Sequence, residues 1–148
     1  MGMFQVAVGV ANPNDRSRAF EEKFWVDTGA FYSLIPEDRL AEIGVAPLQT
    51  RAVILADGRR DRRLMGEAVL TIHQLGETLT CPVIFGPPGS LFLLGATALE
   101  IFAVQADPTN QELKPLAAII IGGSLAAAIA PGRNDYRPPA TSMNVAVE

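Results

Sequence analysis

The sequence is poor in the side chains that most often carry chemistry. Its 148 residues include one cysteine, one histidine and one tryptophan. With Cys81 alone, no intrachain disulfide can form, and a reducing, cytoplasmic setting is expected. Cys81 lies in an apolar stretch with no evident base nearby, so it reads as a small core residue and not a nucleophile. His73 has no partner at ligand spacing, so a structural or surface role is expected and no metal or other cofactor is implied. Charge is also sparse, at 19% of residues and a net −4, which gives no support for nucleic-acid binding. An apolar share of 49% excludes general disorder, and the length suffices for one domain with a sizeable core. Met1 to Ala11 lacks a basic leader, so a signal peptide is not expected. The longest apolar run, Leu116 to Ala130, would reach only about 22 Å as a helix against a bilayer core of about 30 Å. Gly122-Gly123 weakens a helix there further, so a buried or subunit-contacting segment is expected over 117–130 and a membrane partner is not. Residues 131–148 are polar and Pro-rich and read as a loose tail.

What is present is a succession of short apolar runs separated by turn residues. Val6, Val8 and Val10 alternate with smaller or polar residues and predict a first strand. Asn12-Pro13-Asn14-Asp15 predicts a turn, followed by a strand over Ala19 to Val26. Tyr32 to Ile35 reads as a short strand. Pro36 and two acids then open a short helix over Arg39 to Ile43, stopped by Gly44. Arg51 to Ala56 and Leu64 to Ile72 read as strands joined through Asp57-Gly58, a strong hairpin signal. The arginines at 59, 60, 62 and 63 read as the solvated tip of that hairpin. Strands are expected over Thr78 to Phe85 and Leu91 to Leu94, a helix over Ala96 to Ile101, and a last hairpin around Asp107-Pro108. No repeat occurs at a fixed period. The pattern predicts an all-β, barrel-like domain over residues 1–116.

One stretch stands apart. Phe24-Trp25-Val26-Asp27-Thr28-Gly29-Ala30 places a carboxylate at the end of an apolar strand, directly before a hydroxyl and a turn. Apolar sequence on both sides predicts partial burial of Asp27, which is costly unless something holds the charge. About sixty residues on, Leu94-Gly95 ends an apolar run and opens a helix. Together with the Asp57-Gly58 hairpin and Asp107-Pro108, these residues resemble the retropepsin-like aspartic peptidases, in particular their bacterial members. The resemblance covers roughly residues 4–116. It implies a closed β-barrel with one or two short helices, one lobe per chain, and a homodimer acting on an extended peptide or protein substrate. In such a dimer each chain supplies one Asp27 to a site that hydrolyses peptide bonds. Thr28 and Gly29 fix its geometry, and the hairpin residues Ala56, Asp57, Gly58 and Arg59 close over the substrate. Strand alternation puts Trp25 on the side of Asp27. Trp25 is then either a core residue or part of a pocket wall, and the resemblance implies a substrate-binding wall of Trp25, Ala30, Phe31, Tyr32, Leu34 and Leu55 with a preference for apolar side chains. Ala30 offers no hydroxyl to the carboxylate, which predicts a mildly acidic activity optimum.

The sequence departs from the retroviral members of that family in two linked places. Where they carry two acids after the Asp-Thr-Gly-Ala loop, this chain has Phe31 and Tyr32. Where they continue Leu-Gly with an arginine that pairs with one of those acids, it has Ala96. Both halves of that ion pair are missing, and removing both partners of a buried pair can be nearly neutral. The competing reading is a non-catalytic dimeric module that binds peptides or assembles a complex through the same cleft. A third is a processing unit active only when fused or membrane-associated.

Overall fold

The computed structural model of the protein describes residues 3–117. Nine strands and two short helices follow one another: β1 Gln5–Asn12, β2 Asp15–Val26, β3 Ser33–Pro36, α1 Glu37–Glu42, β4 Gln49–Ile54, β5 Arg60–Ile72, β6 Glu77–Gly86, β7 Leu93–Leu94, α2 Ala96–Ile101, β8 Val104–Asp107 and β9 Glu112–Pro115. All of them belong to one unit, Met1–Leu116. The apolar segment and tail expected over 117–130 and 131–148 lie, from residue 118 onward, outside the described residues.

The sheet closes on itself. Its order is β1-β2-β7-β3-β6-β5-β4, and β1 also pairs with β5, from Val8↔Ile72 to Ala11↔Val69. β5 makes closure possible because it is long. Its second half bridges β1 and β6, while its first half, Arg60 to Met65, pairs with β4 as a separate arm. Closure gives β1 and the second half of β5 a partner on each side, while β4 remains a free edge. The interior is filled by the alternating apolar positions of the ring. Val8, Val10, Phe24, Ile35, Leu70, Ile72, Val83 and Leu94 are all buried, and Leu40 of α1 and Leu99 of α2 are buried in the same core. The architecture is thus all-β with two short helices, as the spacing of the apolar runs predicts.

Several boundaries differ from the sequence expectation, for physical reasons. β2 begins at Asp15, not Ala19, and β5 at Arg60, not Leu64. In both added segments nearly every residue is exposed, so no apolar alternation marks them, and cross-strand hydrogen bonding alone extends the strand. β4 ends at Ile54, so Leu55 and Ala56 fall in the turn. β3 runs one residue later than expected, and α1 starts at Glu37, directly after Pro36. The run Leu91 to Leu94 is not wholly a buried strand. Only Leu93 and Leu94 pair, wedged between β2 and β3, while Leu91 is 58% exposed.

Candidate active site

β2 delivers Asp27 to the end of the ring. Phe24 and Val26 point into the core, so Trp25 and Asp27, on the alternate positions, are both half-buried. Beyond Val26 the chain leaves the ladder and turns. Ala30 N–H donates to the Asp27 carbonyl at 3.2 Å, and Gly29 N–H donates to Asp27 Oδ1 at 3.0 Å. A backbone amide therefore fixes one carboxylate oxygen within its own turn. Thr28 and Gly29 are exposed at the crest of that turn, and Ala30 is half-buried.

The turn is held from beneath by the segment that starts α2. β7 runs parallel to β2 with Trp25 opposite Leu93 and Val26 opposite Leu94. Asp27 N–H donates to the Leu94 carbonyl at 3.0 Å. Ala96 N–H donates to the Ala30 carbonyl at 2.7 Å, and Thr97 N–H to the Phe31 carbonyl at 2.9 Å. Gly95 N–H donates to the buried Ser33 Oγ at 3.1 Å. The amides that open α2 have no partner inside their own helix, and here the carbonyls and hydroxyl of the Asp27 loop satisfy them. Gly95 must be glycine for this fit, since a β-carbon on it would lie 2.5 Å from the Tyr32 carbonyl group. Two motifs about sixty residues apart thereby become one rigid cradle.

The remaining expected site residues distribute less evenly. Phe31 is 70% exposed and packs edge-on against the half-buried Tyr32, ring centroids 4.8 Å apart. Leu34 is half-buried but pairs with Ile84 and lies against Gly86, on the side of the β6–β7 loop. At the arm tip, Leu55 is half-buried and Ala56 to Arg59 are exposed. Leu55 N–H donates to the Arg59 carbonyl at 2.8 Å, and Gly58 takes φ +85°, a conformation that favours glycine. Asp57 pairs with Arg59 at 2.6 Å, and the hydrogen bonds from Arg59 hold its carboxyl below the ordinary range. No hydrogen bond or ion pair joins this tip to Asp27 among the described residues. The link between arm and loop runs instead through Arg51 of β4, whose guanidinium lies 5.7 Å from the centre of the Tyr32 ring.

Sequence reasoning missed Ser33 and Arg51. Ser33 carried a signal in hindsight, a small polar residue in an apolar run. Arg51 carried none, because only the packed arm shows which face it is on.

Two concavities of ≈ 380 and ≈ 280 Å³ lie elsewhere, sharing Leu48 and Glu67, and neither is lined by a residue of 25–34. Cys81 lines the first. It is buried, and burial pushes its thiol up to about 11. His73 is exposed, 2.6 Å from Glu21. Among the described residues, no three His, Cys, Asp or Glu side chains are placed to hold a metal, and no helix is long and apolar enough to cross a membrane.

No family model and no curated protein matches the sequence. Among solved structures, the chain is similar to the Simian foamy virus (mac) protease, with a TM-score of 0.46 and 17% identity, covering 64% of this chain and 90% of that one. It is also similar to the retroviral protease-like domain of Ddi1 from Leishmania major, with a TM-score of 0.47 and 15% identity, covering 82% of this chain and 99% of that one.

Proposed function

We propose that the chain is the protomer of a homodimeric aspartic endopeptidase. The observation that carries this reading is the cradle. Asp27 is held by Gly29 N–H at one oxygen, and its loop is clamped by the Leu94-Gly95-Ala96-Thr97 segment. A turn serving only to reverse the chain needs no such bracing of a carboxylate at the end of the ring.

The chemistry follows from pairing two such loops. Hydrolysis of a peptide bond needs a base to take a proton from the attacking water and an acid to polarise the carbonyl and protonate the leaving amine. Two carboxyls that face each other and share one proton do both, because like charges so close cannot both ionise readily. One chain supplies one Asp27, so the site is complete only when a two-fold axis passes between two copies. Asp27 lies at the end of the ring and lines neither concavity, which suits a cleft that a second copy completes. The β4–β5 arm, reaching out from the ring beside Tyr32, is the element that covers an extended substrate.

Asp27→Asn tests the reading. It keeps the shape of the loop while removing the ionisable pair, and cleavage of a denatured protein substrate should fall by about 10²–10⁴-fold. Cleavage that survives the substitution removes Asp27 from the chemistry. If the parent chain never cleaves and still binds peptides, the protein is a binding module. Sedimentation at micromolar concentration should show a dimer, and a strict monomer would leave half a site.

A further inference from the structure

The arm that borders the site carries a charge pattern the proposed chemistry does not use. Residues 49–65 hold five arginines and two aspartates in a chain whose net charge is −4. Their faces differ. In the β4–β5 register Arg51 stands opposite Arg63, Ala52 opposite Arg62, and Ile54 opposite Arg60. Arg51, Val53 and Arg63 are half-buried, whereas Ala52, Ile54, Arg60, Arg62 and Leu64 are exposed. Arg51 and Arg63 therefore share the inward face, and the Arg51–Tyr32 contact shows that this face looks toward the Asp27 loop.

Two like charges directly opposite on one face of a hairpin repel each other. Arg63 is relieved by Asp61, at 3.0 Å. Arg39 and Arg59 likewise have carboxylate partners, but Arg51 has none among the described residues. The Tyr32 ring attracts its cation without occupying the N–H fork that binds a carboxylate in bidentate fashion. A guanidinium with no carboxylate partner among the described residues thus sits, half-buried, beside Tyr32 at the end of the Asp27 loop.

We propose that Arg51, with Arg63 beside it, is the specificity-determining residue that selects peptides bearing an acidic side chain close to the scissile bond. The proposal deepens the protease reading and rests on it for where the substrate lies.

The test reads binding without cleavage. Asp27→Asn protein is titrated with paired fluorescent peptides that share apolar residues at the central bond and carry Glu or Gln at neighbouring positions. The Glu peptide should bind about threefold to tenfold more tightly at low salt. The advantage should shrink at high salt and below about pH 4, where the peptide carboxylate protonates. Adding Arg51→Gln should erase the preference. Adding Arg60→Gln, the same charge change on the outer face of the same hairpin, should leave it. Should Arg51→Gln fail to fold, Arg63→Gln carries the same expectation of a weakened preference. Equal binding of the two peptides to the Asp27→Asn protein, or equal loss of preference in Arg60→Gln, overturns the proposal. Cleavage by the parent chain decides the separate question. A preference with no cleavage sinks only the protease reading, and cleavage with no preference sinks only this one.

Discussion

Gly95 leaves no room for a β-carbon beneath the Asp27 loop, and this closeness makes it the most sensitive single position in the cradle. The atom that Gly95→Ala adds would meet the Tyr32 carbonyl group at 2.5 Å and the Ala30 carbonyl oxygen at 2.9 Å. Both are backbone, so the loop itself must move. We expect a loss of about 1–3 kcal/mol of unfolding free energy, measured by urea denaturation, together with a fall in peptide cleavage. An unchanged stability would mean that loop and helix are not braced as described. At the same scale, Cys81 shows how burial silences a reactive group. Loss of hydration pushes the thiol up to about 11, so the nucleophilic thiolate is rare at neutral pH. Thiol reagents at pH 7 should label Cys81 only as fast as the protein unfolds, and rapid labelling of the native protein would contradict its burial.

In the β8–β9 hairpin one acid organises the turn. Asp107 accepts hydrogen bonds from Thr109 N–H, Asn110 N–H and Asn110 Nδ2, and pairs with Lys114 at 2.9 Å. The Lys114 bond and then the Asn110 bonds hold its carboxyl down to about 2 from the ordinary 3.8. A carboxyl depressed by folding stabilises the folded state fully above its ordinary value, and that contribution is lost as pH falls through the folded value. The stability difference between the parent and Asp107→Asn should therefore be constant above about pH 5, shrink between about pH 4 and pH 2, and be read from thermal midpoints across that range. A difference independent of pH would show that Lys114 and the turn do not discriminate between charged and neutral forms. Asp15 to Arg18 and Arg60 to Arg63 are strands with little or no burial, so they lack the apolar alternation that marked Val6, Val8 and Val10.

For the whole molecule, the deciding property is that the ring is closed while the chemistry is not. The β1–β5 pairing completes the sheet within one chain. The proposed reaction needs a partner, because each chain brings a single Asp27. Specific activity should fall on dilution below the dimer dissociation constant. Mixing equal amounts of parent and Asp27→Asn chains after exchange should reduce activity per parent chain to about half, since half of those chains then face an Asn. Activity that stays proportional to parent chains alone would show that each chain works by itself.

Sequence alone determined the all-β class and the place of Asp27 at a strand end, because apolar periodicity and turn residues act over a few neighbours. The tertiary structure decided the rest. It showed that Leu94 to Thr97 supplies the amides and carbonyl that fasten the Asp27 loop, that Ser33 rather than Thr28 is the buried hydroxyl in that brace, and that Arg51 turns inward while Arg60 turns out. Those facts depend on which strands become neighbours when the ring closes, and hydrogen bonds between residues so distant in the chain exist only after that closure has set their register.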